Sequence, residues 1–299
     1  MTDSTNDTKS KHNLKQITLL HIIPTPIGNI EDITFRSLKT LFLSEIVLAE
    51  DTRVTKQLFN ILENRFGNFI EKSTEKREFI SVHSHNEDEV LKKLDVSIFK
   101  EKNVIFVTDA GMPSISDPGF KLISFAIENQ IEFEVFPGAS ASILSFVLSG
   151  FETTKFTFWG FLPHKGKDRE QELNRAISNS NTTILFESPH RILKLLEELK
   201  NLIPERKIFA GKELTKKFEK RFYGSSSEVF EDVKNANTKG EWVVVISHDK
   251  NLTSSQTSAI SVKDIEELQI STKQKAKLIS KITGIPVKEC YRNLTENSE

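Results

Sequence analysis

Between residues 17 and 137, short runs of β-branched and aromatic residues alternate with longer stretches whose apolar positions recur every three or four residues. The short runs fall at 17–23, 46–50, 79–82, 104–108 and 133–136, and each reads as a strand. Among the longer stretches, 52–63 places Leu58, Phe59, Ile61 and Leu62 along one side of a helix. Strands separated by helices specify a parallel sheet, because a parallel neighbour is reached only by a crossover connection. In such a sheet a ligand crevice lies beyond the carboxyl ends of the strands.

Past Gly150 the rhythm changes. Strands are expected at 156–161, 183–186, 207–212, 220–223 and 242–247, interrupted by helices near 168–178 and 190–199. The pattern therefore predicts an α/β protein of two domains, an N-terminal parallel-sheet domain over 17–150 and a C-terminal α+β domain over 151–248. A Ser/Thr-rich stretch, 249–261, reads as a linker. Beyond it, 262–299 reads as a small helical appendage with helices at 271–282 and 287–294. These meet at Thr283-Gly284-Ile285-Pro286, where Gly ends one helix and Pro opens the other. Residues 1–16 are polar, lack the apolar segment of a secretion signal, and read as a disordered lead.

Composition narrows the function. The 299 residues carry 41 Lys+Arg against 42 Asp+Glu, for a formal charge of -1, so bulk charge does not hold this chain to nucleic acid and any basic footprint is local. No apolar run approaches the length of a membrane span. A single cysteine, Cys290, has no intrachain partner, which places the chain in a reducing, cytoplasmic compartment.

Familiar phosphate and metal motifs are missing. The run from Gly160 to Asp168 mimics a Walker A loop but has one residue too many between its glycines and Asp168 where Ser or Thr belongs. No G-x-G-x-x-G follows a strand. His83 and His85, followed by Glu87 and Asp88, lack a third strong ligand and read as a polar strand end, so no metal site is expected. What remains is three Pro/Gly-rich loops, each directly after an expected strand: Pro24-Thr25-Pro26-Ile27-Gly28-Asn29, Asp109-Ala110-Gly111-Met112-Pro113 and Pro137-Gly138-Ala139-Ser140-Ala141. Glycine lets backbone approach a ligand and proline stiffens the loop, so their joint placement at one sheet edge suits a rigid pocket of main-chain groups.

These loops, with Ala49-Glu50-Asp51-Thr52-Arg53, Ser116-Asp117-Pro118-Gly119, Gly160-Phe161-Leu162-Pro163, Phe186-Glu187-Ser188-Pro189-His190-Arg191 and Lys212-Glu213-Leu214-Thr215-Lys216, resemble in order the ribosomal RNA small subunit methyltransferase I family of tetrapyrrole methylase-like enzymes. The resemblance implies the two-domain fold of those methylases and S-adenosylmethionine as cofactor. It also implies a homodimer that methylates the ribose 2'-hydroxyl of a cytidine in the decoding region of 16S rRNA within the small ribosomal subunit. It puts the cofactor wall on Pro26, Ile27, Asp109, Ala110, Gly111, Met112, Pro113, Ile115, Ser140, Ala141, Phe186, Glu187, Ser188, Ala210 and Gly211. Three positions depart from the family pattern: Met112 stands for Thr, Phe186 for Tyr, and Gly211-Lys212 for Ala-Arg.

A transferable methyl on a sulfonium is already electrophilic, so the protein has to position the acceptor oxygen and assist loss of its proton. The resemblance offers Glu50, Asp51, Glu187 and Glu213 as bases or positioning groups, and Arg53, His190, Arg191 and Lys216 as substrate-positioning groups; an ion-pair network among these same residues is the alternative. Local basic runs at 164–169, 212–221 and 271–292 are the expected RNA footprint, the last with six basic residues against Glu289 alone. A methylase of this fold acting on a small tetrapyrrole, and a non-catalytic ribosome-assembly protein, are the competing readings. Replacing Lys273, Lys275, Lys277 and Lys281 together with Ala is expected to weaken binding to small ribosomal subunits while cofactor affinity holds, a difference read from titrations across a salt series.

Overall fold

The computed structural model describes residues 19–70, 76–248 and 261–296. The expected polar lead and most of the expected linker lie outside the described residues, as do residues 71–75. The described residues up to Ser247 form one compact unit and those from His248 a second.

The first unit begins with β1 (Leu20–Ile22), α1 (Phe35–Leu43), β2 (Ile46–Ala49), α2 (Thr52–Phe66), β3 (Glu78–Ser81), α3 (Glu87–Lys93), α4 (Ile98–Glu101), β4 (Val104–Val107), α5 (Phe120–Glu128) and β5 (Phe133–Val135). Its five strands are all parallel, in the order β3-β2-β4-β1-β5. Every residue of β2 and β4 is buried, as expected of strands covered on both faces. Leu20, Ile22, Ile46, Leu48, Val104 and Phe106 pack with Leu91, Phe99 and Leu122 of α3 to α5 on one face. On the other, Val47, Ala49, Ile105 and Val107 pack with Leu38, Leu41, Phe59 and Leu62 of α1 and α2. Polar caps start two of these helices: Thr34 accepts from the Ser37 N–H (3.1 Å) and Asp51 from the Arg53 N–H (2.8 Å).

From α6 (Ala141–Ser149) the chain enters a second sheet: β6 (Phe156–Phe161), α7 (Gly166–Ile177), β7 (Thr182–Glu187), α8 (Ile192–Leu202), β8 (Lys207–Lys212), β9 (Lys220–Ser225), α9 (Ser226–Lys234) and β10 (Trp242–Ile246). The strand order is β6-β7-β10-β8-β9, with β6 and β7 parallel and the remaining pairs antiparallel. Period-two alternation splits its side chains between two cores. Leu185, Ile208, Ala210, Val244 and Ile246 face α7, α8 and α9, while Ile184, Phe209, Val243 and Val245 face Leu144, Phe146 and Leu148 of α6. Although α6 precedes Gly150, where the change of rhythm put the domain boundary, it therefore packs as a cover for the second sheet.

The α9 helix carries a full capping box, in which Ser225 accepts from the Glu228 N–H and Glu228 from the Ser225 N–H. In the second unit α10 (Val262–Glu267), α11 (Thr272–Thr283) and α12 (Val287–Glu296) enclose Ile265, Ala276, Ile279 and Cys290. As the Gly-Ile-Pro pattern predicts, α11 stops at Gly284, which takes a left-handed φ of 75°. The pattern at 271–294 had shown two helices here; α10 is an additional one.

Two loops join the halves of the first unit. The Asn29 N–H donates to Thr215 Oγ1 (3.0 Å), and the loop after β1 lies so close to the turn after β8 that a Cβ at Gly28 would sit 2.5 Å from Thr215 Oγ1 and 2.9 Å from the Leu214 carbonyl oxygen. The loop after β4 reaches β6, where Ser116 Oγ lies 3.4 Å from a Cβ built on Gly160. Gly28→Ala is expected to force these turns apart at a cost of about 1–3 kcal/mol, measurable as a lower urea midpoint.

Candidate functional site

In the first sheet β1 and β4 are neighbours, but the chain leaves β1 toward β2 on one side and leaves β4 toward β5 on the other. Each connection therefore passes its neighbour's strand, and the two loops meet at the carboxyl edge of the sheet, where ligands of such sheets bind. They are the first two Pro/Gly-rich loops, and they are tied at their bases: the Thr25 N–H donates to the Gly111 carbonyl (3.0 Å), the Gly111 N–H to the Thr25 carbonyl (3.1 Å), and Thr25 Oγ1 to the Thr108 carbonyl (3.1 Å). Gly111 meets this bridge at a φ of 83°, which favours glycine. Gly138 of the third loop abuts Pro24, whose Cβ is 2.6 Å from where a Cβ on Gly138 would be.

Above these loops lies a cleft of about 370 Å³. The first sheet contributes Ile27, Glu50, Asp109, Ala110, Ile115, Ser116, Asp117 and, from α6, Ala141. The second contributes Phe161, Phe186, Glu187, Ser188, Gly211, Leu214, Glu241 and Val243. Nine of the fifteen residues assigned to the cofactor wall by resemblance line it, among them Phe186, whose ring meets Phe158 and Phe161 edge-on at 4.9 and 5.7 Å. Pro26, Gly111, Met112, Pro113, Ser140 and Ala210 do not. Gly111 is engaged in the bridge to Thr25, Pro113 is buried, Ser140 precedes α6 with its hydroxyl 3.0 Å from Ser142 Oγ, and the Ala210 side chain faces the core on the opposite side of its sheet.

Three of the four carboxylates proposed from the sequence, Asp51, Glu187 and Glu213, are ion-paired. Asp51 is gripped by Arg53, whose Nε and Nη2 donate at 3.1 and 2.7 Å, and this side-chain hydrogen bonding together with the Arg53 N–H holds its pKa down to about 2, too low for an effective base near neutrality. Glu187 is fully enclosed between two guanidiniums, with Arg191 Nη2 at 2.7 Å and Arg169 Nη1 at 3.5 Å. It also accepts from the Ser188 N–H (2.8 Å). Arg169 continues to Glu198 and the Pro163 carbonyl, and Arg191 to the Leu162 carbonyl. Glu213 accepts from Lys216 (3.0 Å) and from the Glu241 N–H (2.8 Å); burial alone raises its pKa, but these donors prevail and it is lowered. Lys216 is shared with Glu241 (2.9 Å), and His190 is exposed in the turn before α8.

The groups that face the cleft with unusual proton affinity are the fourth, Glu50, together with Asp109 and Asp117. Glu50 and Asp109 are both raised, chiefly by burial, and are linked because the Asp109 N–H donates to Glu50 Oε2 (3.3 Å) and the Asp51 N–H to Asp109 Oδ1 (3.2 Å). Asp117 is pushed up to about 7, first by burial and then by repulsion from Glu50, Asp109 and Glu241. It sits in a turn closed by the Ser114 N–H donating to the Pro118 carbonyl (3.1 Å), with Ser114 and Ser116 both at positive φ. In the sequence Asp117 stands out only as part of Ser116-Asp117-Pro118-Gly119, where nothing marks it as a chemical group. Such strained turns gather where a side chain is aimed at a ligand.

Two cations counted in the basic footprint are not on the surface. Arg169 is buried in the Glu187 network, and Lys212 is buried with its Nζ on the Asn237 carbonyl (2.7 Å). Lys273, Lys277 and Lys281 are exposed on α11. Among the described residues no helix is long and apolar enough to cross a membrane, and no His, Cys, Asp and Glu cluster fits a metal ion. Glu87 instead accepts from the Leu122 N–H (3.0 Å) at the first turn of α5. Because breaking a buried ion pair strands the remaining charge, Glu187→Gln is expected to lower unfolding stability by about 3 kcal/mol, read from chemical denaturation.

Residues 19–229 match the family model of tetrapyrrole (corrin/porphyrin) methylases. A ribosomal RNA small subunit methyltransferase I from Campylobacter fetus is 45% identical over 276 residues, spanning 92% of this chain and 99% of its own. The protein of that name from Helicobacter pylori strain 26695 is 37% identical over 282 residues, 91% of this chain and 96% of its own. Solved structures align at lower identity. A diphthine synthase superposes with a TM-score of 0.56 at 14% identity, covering 77% of this chain and 90% of that one. A uroporphyrin-III C-methyltransferase from Thermus thermophilus, complexed with S-adenyl homocysteine, gives 0.52 at 17% identity, covering 76% and 96%. These structures establish the fold alone. With the family model spanning most of the chain and near full-length relatives well above 30% identity, the protein belongs to the tetrapyrrole methylases and, within them, to the ribosomal RNA small subunit methyltransferase I family.

Proposed function

We propose that this protein methylates the ribose 2'-hydroxyl of a cytidine in the decoding region of 16S rRNA, using S-adenosylmethionine and acting on the small ribosomal subunit as a cytoplasmic homodimer. The relatives' names supply the RNA and the methyl transfer. The cleft suits the donor. At about 370 Å³ it falls in the range of small-molecule sites. Ile27, Ile115, Phe161, Phe186, Leu214 and Val243 offer apolar walls to an aromatic base, and the carboxylates of Glu50, Asp109 and Asp117 favour a cation. Ile27, Asp109, Ala110, Ile115, Ala141, Phe186, Ser188 and Gly211 would hold it. The bound donor supplies an electrophilic methyl on a positively charged sulfonium.

The chain's own work is then positioning and proton removal. The tied loops after β1 and β4 keep the cleft floor from relaxing, so orientation is set before the acceptor arrives. Asp117 carries the proposal: a carboxyl that titrates at about 7 is matched to accept a hydroxyl proton at neutral pH, which the Arg53-bound Asp51 is not, and Glu187 is enclosed by Arg191 and Arg169. Burial raises Asp117 most, and repulsion from Glu50, Asp109 and Glu241 adds to it. The exposed guanidinium of Arg53, fixed by Asp51 at the end of β2, stands ready for a phosphate.

The sign of the pH dependence follows. Asp117 favours its protonated form in the native state, so the stability it contributes is full below its unfolded value of 3.8 and is lost as pH rises through about 7. Activity runs the other way, since only the ionised form accepts a proton. Methyl transfer to isolated small subunits is expected to rise through pH 7, with ribose methylation located in the rRNA. Asp117→Asn is expected to lower the rate about 10²-fold and to remove that rise. A parent profile flat from pH 6 to 8 overturns the assignment, and transfer to a tetrapyrrole in place of the subunit overturns the substrate.

A further inference from the structure

Directly beside the cleft, the sheet ends in the edge strand β9, which pairs with β8 so that Arg221 lies opposite Gly211 of the cleft wall and Tyr223 opposite Phe209. Alternation places Arg221 and Tyr223 on the cleft-side face, with Tyr223 resting on the buried Phe209 ring at 5.0 Å and still 51% exposed. The turn that leads into β9 presents Phe218, 69% exposed, with Lys217 Nζ 5.6 Å from the ring centre.

This turn is rigid. The Lys216 N–H donates to the Glu213 carbonyl (3.0 Å), the Glu219 N–H to the Lys216 carbonyl (3.1 Å), the Thr215 N–H to Glu219 (2.5 Å), and Thr215 Oγ1 receives the Asn29 N–H from the other half of the unit. The exposed Phe218 ring, with the half-exposed Tyr223 on the strand that follows, offers faces of the kind on which unpaired bases stack. Lys217 and Lys220 flank it, both exposed and with no carboxylate partner among the described residues.

We infer that Phe218 and Tyr223 form a stacking platform for unpaired bases of the RNA acceptor, with Lys217 and Lys220 on the adjoining phosphates. The inference rests on the RNA reading above and specifies it: the acceptor is recognised as single-stranded nucleotides beside the cleft. Every base has a flat face that an aromatic ring can cover, whereas a base inside a duplex is already stacked. The exposed Lys217 and Lys220 select a polyanion as the occupant.

The test uses the full chain with Phe218→Ala, Phe218→Trp and Tyr223→Ala. Binding is measured by fluorescence anisotropy to a single-stranded RNA and to the same strand annealed to its complement, alongside KM for small subunits, S-adenosylmethionine affinity by calorimetry, and mass in solution by sedimentation. Phe218→Ala and Tyr223→Ala are each expected to weaken single-strand binding and raise the subunit KM about ten-fold, with Phe218→Trp restoring both and the donor affinity of all variants at the parent value. Duplex binding, governed by charge, is expected to hold. Unchanged single-strand affinity, an equal loss on the duplex, or a change in mass as the effect of the substitution each overturns the platform. If the parent methylates small subunits and the variants match it, the platform alone fails. A parent that neither binds RNA nor methylates subunits removes the RNA reading and the platform with it.

Discussion

The structure depends on one backbone exchange, the pair of hydrogen bonds between Thr25 and Gly111. β1 and β4 are adjacent but their chains depart in opposite directions, and without a tie the two loops have no reason to stay in register above the sheet. The exchange fixes them as a floor. From it follow the positions of Ile27 and of Asp109, the approach of Asp109 to Glu50, and the direction in which the turn bearing Asp117 leaves. A glycine at 111 is required for the exchange because the backbone there has positive φ and the Ile27 side chain lies 3.2 Å from where a Cβ would be.

Electrostatics within the first unit are layered. Where carboxylates have guanidinium or ammonium partners, as at Asp51, Glu187 and Glu213, they secure elements: a helix start, the end of β7, the turn after β8. Where carboxylates lack such partners, at Glu50, Asp109 and Asp117, burial and mutual repulsion raise their proton affinity. The same residue type thus serves anchorage or chemistry according to its neighbours, and the dividing line runs along the cleft.

Much of this was legible in the sequence because short-range signals carry it. The runs at 156–161 and 207–212 coincide with β6 and β8, since turn-forming residues bound an apolar stretch at both ends. The α9 and α10 helices escaped a reading based on apolar periodicity, although Ser225 with Glu228 and Ser261 with Asp264 each spell a capping box, a signal carried by polar residues. Asp117 escaped as a chemical group for a deeper reason: its titration is set by Glu50, Asp109 and Glu241, which converge only after folding. Burial is likewise invisible locally, so Arg169 and Lys212 read as surface cations when one is enclosed by carboxylates and the other by a carbonyl.

The close seat of Gly28 against Leu214, Thr215 and Lys216 also bears on how the molecule moves. Two bodies hinged at a single covalent link can swing freely, but here a second point of touch sits away from the connection through α6, and Ser116 near Gly160 adds a third. Three separated supports define a plane. These contacts oppose a swing of one sheet against the other about α6.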